Sequence, residues 1–237
     1  MNLFDDCLKR LWELLPGEAD KRASYLPELA APEGDKNAIL FRDETAFELG
    51  GGGKPAACGF LFGDLPAGPD ETLLYGRDLS EIESDSPYAH FTVVSLKPEA
   101  EETLYAETLK EIAFKGFQTY PAGFHLRVSP SAGREQARVA KAALAQTPPL
   151  SFLNVGAGLI RLLKTHPAVE RATTVYVTRP DLDHAAFAAL ARKAKQIANA
   201  LESAYGMNEL DCAACRMKPV CDEIEGLREL HAKRAHG

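Results

Sequence analysis

Cys212, Cys215 and Cys221 are three of the chain's five cysteines, gathered within ten residues in the run DCAACRMKPVCDEIEGLRELHAKR. A Cys-x-x-Cys pair on a tight loop aims two thiolates to the same side, where they can share one ion or cluster. Pro219 stiffens the approach to Cys221, as prolines do beside cysteine ligands in ferredoxin-type runs. Cys221 is expected at the start of a final charged helix near Asp222. There, unpaired N–H groups and the positive dipole end favour a thiolate. From spacing alone, iron–sulfur and zinc are nearly equal readings. The competing accounts are a redox dithiol and inert free thiols. A thioredoxin-like pair opens a helix after a strand, whereas this one follows a helix, and a third nearby cysteine argues against chance.

Three thiolates leave a fourth position to Cys7, Cys58, His231, an external ligand or a partner protein. Cys7 lies on an amphipathic stretch and Cys58 in an apolar run, where a small buried hydrophobe is the ordinary role.

Five is an odd number, and the clustering differs from the spread pairs of a secreted disulfide framework. The N-terminal run MNLFDDCLKRLWELL carries charges throughout and lacks the apolar core of a signal peptide. No apolar run approaches the roughly 20 residues a membrane helix needs. A cytosolic protein is expected. Net charge is −7, from 27 basic and 34 acidic residues, which argues against nucleic acid as the main partner because phosphate binding needs a clustered basic surface.

The elements that must position the cysteines read as α/β. A first helix is expected over Leu3–Leu15, then a linker to residue 36. Short apolar runs at Ala38–Phe41, Ala46–Leu49 and Ala57–Phe62 look like strands, with Gly50–Gly53 as a turn between the last two. Strands are expected at His90–Leu96, Phe124–Val128 and Thr173–Val177. Helices are expected from Pro98 to Gly116, over Gly133–Leu144, from an Asn154 cap to about Lys164, and after an Asp183 cap. That last and longest helix has an apolar stripe of Phe187, Leu190, Ala194, Ile197 and Leu201 and is broken at Gly206-Met207-Asn208. Alternating strands and helices imply a mixed sheet with flanking helices, followed by a small C-terminal cysteine knuckle and helix. The divisions are 1–36, 37–206 and 207–237.

Other candidates carry less. Gly50–Lys54 invites a phosphate-loop reading, but Pro55 follows Lys54 where a Ser or Thr should open a helix, so a hairpin turn is the better account. Arg134, Arg138 and Lys141 fall at i, i+4 and i+7 on the expected helix after Arg127. That stripe suits a phosphate-bearing ligand such as coenzyme A, or is simply a solvated face. His90, His125, His166 and His184 lie in no metal spacing and read as structural.

The stretch from Asn154 to Gly226 resembles acetyl-CoA synthase, the β subunit of the carbon monoxide dehydrogenase/acetyl-CoA synthase complex. The resemblance rests on LNVGAGLIRLLKTHPAVERATTVYVT, the long helix and LDCAACRMKPVC. Upstream, AFELGGGGKP and the strand–helix–strand from His90 to Val128 continue it more weakly into the family's middle domain. The resemblance implies a 4Fe–4S cluster bridged through one cysteine to a nickel pair. Cys212 and Cys215 match the first two cluster ligands, with Cys215 at the bridging position, and Cys221 matches the third at shorter spacing. No cysteine follows Cys221, so the fourth cluster ligand is missing, as is the Cys-Gly-Cys motif that holds the outer nickel. A square-planar nickel site is therefore not expected from this polypeptide alone. The implied role is an iron–sulfur protein of one-carbon metabolism, accessory to a carbon monoxide dehydrogenase/acetyl-CoA synthase subunit or another redox protein. Two alternatives stay open. One is a structural-zinc interaction module, and the other an enzyme fragment that completes its active site with a second subunit.

Overall fold

Two nine-residue runs rich in β-branched and aromatic side chains, YAHFTVVSL and VERATTVYV, are buried along almost their whole length. Such runs belong between layers, because both faces of each strand must find apolar cover. In the computed structural model, which describes residues 3–65, 67–97, 105–129, 132–206, 217–224 and 227, they pair antiparallel within a five-stranded sheet.

In chain order, helix α1 (Asp5–Leu14) leads to strands β1 (Lys21–Ser24), β2 (Thr45–Leu49), β3 (Ala56–Phe62) and β4 (Glu71–Tyr75). Strand β5 (Tyr88–Leu96) precedes helix α2 (Tyr105–Gly116). Then come β6 (Phe124–Ser129), β7 (Arg134–Ala140) and the one-turn helix α3 (Lys141–Leu144). Helix α4 (Phe152–Leu163), strand β8 (Val169–Val177), the long helix α5 (His184–Gly206) and the short helix α6 (Lys218–Glu223) complete the described elements. The large sheet has the order β1-β4-β8-β5-β3 and is mixed: β4 with β8 and β3 with β5 run parallel, the other pairs antiparallel. A second, antiparallel sheet has the order β2-β7-β6. The α/β class, with a mixed sheet and flanking helices, is as expected.

Register decides what each face of the large sheet presents. Phe91 stands beside Val175 and Ala89 beside Val177, and this face meets α5. The expected stripe on α5 (Phe187, Leu190, Ala194, Ile197 and Leu201) is buried, with the Phe187 ring 5.9 Å from that of Phe91. Burying each large apolar side chain contributes about 1.5–3 kcal/mol, so packing rather than helix propensity holds α5 in place. Helix α1 lies beside α5 and adds Leu8 and Leu11 to the same core. The opposite face carries Tyr88, His90, Thr174 and Tyr176 and is covered by α4 and the smaller sheet. A Cβ on Gly156 of α4 would lie 2.4 Å from Thr72 Oγ1 and 2.6 Å from Thr174 Oγ1, so glycine is what lets this helix approach the sheet so closely.

Several expectations are corrected. The stretch read as a linker supplies the edge strand β1. Ala38–Phe41 forms no strand, and Ile39 and Phe41 stand largely in solvent. Gly50–Gly53 does turn the chain, with Gly50, Gly52 and Gly53 at positive φ, but it joins β2 of one sheet to β3 of the other and is no hairpin. Gly133–Leu144 is mostly strand rather than helix. Its helix-forming residues Glu135, Ala137, Arg138 and Ala140 are overridden because β7 lies between β2 and β6 and pairs on both sides. Ser151, not Asn154, caps α4: its hydroxyl accepts from the Asn154 N–H, and the Asn154 side chain reaches back to the Leu29 carbonyl.

Candidate functional site

The cysteine segment enters the structure only at its downstream end. Cys212 and Cys215 lie outside the described residues. Cys221 is the fourth residue of the six-residue α6, which starts at Lys218 with Pro219 in its first turn. The helix therefore begins three residues before Cys221, and the expectation of a start near Asp222, with Cys221 at the positive end, is corrected. Helix α6 is seated firmly. Met217 and Val220 pack against the main core, Ile224 and Leu227 are buried within it, and Lys193 of α5 holds Glu223 at 3.0 Å. Among the described residues, no group of three or more His, Cys, Asp or Glu side chains is placed to hold a metal ion.

The other two cysteines are free thiols and buried. Burial pushes the Cys7 thiol up to about 11, with Lys193 pulling the other way and Asp6 and Glu223 adding to the rise. Cys7 thus senses the same Lys193 and Glu223 that tie α6 to α5. Burial also raises the Cys58 thiol well above its ordinary value, and the Glu135 carboxylate raises it further. At neutral pH both are protonated, small and apolar, in keeping with their expected packing role.

Arg134 and Arg138 share one face of strand β7, two alternations apart, so the expected helical stripe with Lys141 does not exist. Arg138 Nε donates to Glu48 Oε1 at 2.7 Å across the β2–β7 pair, while Arg134 donates to the Gly50 carbonyl at 3.3 Å. Lys141 Nζ donates to the Asp43 carbonyl. All three cations are occupied with local partners, which accounts for them as fastenings of the smaller sheet.

Where the two sheets face one another lies a polar cluster that sequence reasoning missed. Glu135 Oε1 accepts from Tyr88 OH at 2.8 Å and sits 3.0 Å from His90 Nδ1, and His90 Nε2 lies 3.2 Å from Thr92 Oγ1. With the carboxylate ionised, Nδ1–H donates to it and Nε2 accepts from the threonine hydroxyl. Tyr176 stacks on the imidazole, ring centroids 4.6 Å apart. Burial lifts the Tyr88 and Tyr176 phenols well above their usual range, and Glu135 adds to both rises. The order hydroxyl, imidazole, carboxylate is that of a nucleophile with its base and orienting acid. Thr92 is fully buried, however, and the adjoining space is about 10 Å³, room for a water and not for a substrate. As placed, the cluster joins the two sheets. Two signals could have found it. Tyr88, His90 and Thr92 alternate along one face of an otherwise apolar strand, and Glu135 has the period-two spacing of β7.

His166 Nε2 lies 3.2 Å from Glu111 Oε2, and His184 Nε2 is 2.8 Å from the Arg179 carbonyl, so these histidines are local fasteners as expected. No helix among the described residues is long and apolar enough to cross a membrane. Compared with known proteins, the chain matches no family model, and no curated protein matches it significantly.

Proposed function

We propose that this chain is a cytosolic iron–sulfur-binding protein in which Cys212, Cys215 and Cys221 hold the cluster and the α/β body presents it to a partner. The observation that supports this best is the seating of α6. Ile224, Leu227 and the Lys193–Glu223 pair hold the segment after Cys221 on α5 by packing and charge. A structural zinc staple would have little left to fasten there, which favours a cluster with a task of its own. Three thiolates form a soft donor set that suits iron and sulfide. A cluster bound to them supplies one-electron transfer. Cys7 and Cys58 are buried and protonated inside the body, which leaves the fourth position to His231, outside the described residues, to a partner or to an external molecule.

The place in one-carbon, carbon monoxide and acetyl-CoA metabolism, in an accessory role beside a partner subunit, rests on the acetyl-CoA synthase resemblance alone. Iron and sulfide analysis with electron paramagnetic resonance, on anaerobically purified wild type and Cys215→Ser, tests the proposal. Brown protein with stoichiometric iron and sulfide, lost in Cys215→Ser, is the expected result. Colourless protein carrying one zinc per chain overturns it in favour of the interaction module.

A further inference from the structure

An apolar cavity of about 210 Å³ lies at the edge of β3, between α2 and α5. Part of its space is left because α5 presents the small side chains Ala191, Ala194 and Ala198 opposite the aromatic side chains Phe114 and Phe117 of the α2 side. An apolar cavity of about 150 Å³ suffices to bind benzene, so this one has room for a ligand of roughly eight to ten heavy atoms. Phe114 stands 63% exposed at its rim.

Charge around the cavity is asymmetric. Two lysines and one carboxylate line it, Lys110, Lys195 and Glu202. Lys110 is tied to Glu202 across the gap between α2 and α5. Lys195 is half-buried and pairs with no carboxylate among the described residues. The inner end is closed by Phe60 and Phe117, edge to face with ring centroids 5.3 Å apart, and beyond them lies the Glu135 carboxylate. An anion entering head first would be driven toward that buried negative charge. One entering tail first keeps its head at the lysine.

We propose that this cavity binds a small amphipathic carboxylate, a medium-chain fatty acid in its simplest form, with the chain between α2 and α5 and the carboxylate on Lys195. The site is independent of the cysteine segment, so its test neither needs nor disturbs a cluster.

The test is titration calorimetry of the full chain with octanoate and with octan-1-ol, on wild type, Lys195→Gln and Ala198→Phe, each checked for a cooperative thermal transition. Octanoate is expected to bind wild type saturably, one per chain. Lys195→Gln is expected to weaken octanoate about threefold to fivefold and to leave octanol within twofold. Ala198→Phe, which fills the cavity, is expected to weaken both at least tenfold. Absence of saturable octanoate binding to wild type overturns the proposal. So does octanoate binding that Lys195→Gln leaves unchanged in a protein that keeps its cooperative thermal transition.

Discussion

Glu135 accepts hydrogen bonds from Tyr88 and, in the tautomer described, from His90, so one buried carboxylate of β7 satisfies two side chains of β5 and fastens the smaller sheet to the larger. A buried pair of this kind adds little over an apolar contact, but removing one member leaves the rest orphaned in low dielectric. Glu135→Leu is expected to cost about 3 kcal/mol in denaturant unfolding, and Tyr88→Phe about 1 kcal/mol. A Glu135→Leu protein within 0.5 kcal/mol of wild type, roughly the scatter of surface substitutions, would sink this account.

Two glycines on α4 give a paired prediction. A Cβ at Gly156 meets Thr72 and Thr174 at 2.4–2.6 Å, whereas one at Gly158 meets nothing within 4 Å. Both lie in a helix interior, where alanine is intrinsically favoured by roughly 0.5–1 kcal/mol. Gly156→Ala is expected to destabilise by about 1–3 kcal/mol, because the helix must lift from the sheet, and Gly158→Ala to stabilise by up to about 1 kcal/mol. Equal effects at the two positions would mean that α4 does not sit on the sheet as described.

These two relationships also show what could be read from the chain. The stripe on α5 and the apolar centre of β5 announce themselves, since their spacing matches the period of the element and their burial follows. Strand β7 does not, because GREQARVAKAAL has the composition of a helix and becomes a strand only when β2 and β6 offer hydrogen bonds on either side. Misreading it placed Arg134 and Arg138 on a helical stripe and hid Glu135 from its partners. Strand β1 was equally hidden: it is four residues long, half exposed, and exists because β4 has an open edge. The cysteine triad is proposed from residue type and spacing alone, since Cys212 and Cys215 lie outside the described residues.

The Cys7 thiol predicts an alkaline dependence. A raised folded pKa means that the native state holds its proton when the unfolded chain has lost it. The stabilisation is therefore complete below the unfolded value of 9.0 and fades as pH rises toward about 11. Between pH 7 and pH 10, wild type is expected to lose about 1.4 kcal/mol more stability than Cys7→Val, which has no proton to release. Cys58 and the buried tyrosines act in the same direction in both proteins and cancel in the comparison. Parallel stability curves for the two proteins across that range would show that Cys7 is not desolvated.

The last prediction joins the fold to the proposed cluster. Leu227 is fully buried in the main core, and Glu223 pairs with Lys193 at the surface, so the two contacts that seat α6 differ greatly in strength. Leu227→Ala should cost about 2–4 kcal/mol, concentrated on the docking of the terminal segment, whereas an exposed ion pair contributes at most about 1 kcal/mol. If Cys221 needs a fixed seat to hold iron with Cys212 and Cys215, Leu227→Ala will surrender its iron to a chelator at least tenfold faster than wild type. Glu223→Gln will stay within about threefold. Measuring iron release under anaerobic conditions, with the thermal transition of each variant followed in parallel, separates loss of docking from loss of the fold. Release from Leu227→Ala at the wild-type rate would mean that the cysteines hold their metal without help from the α/β body, and the presentation role proposed for that body would fall with it.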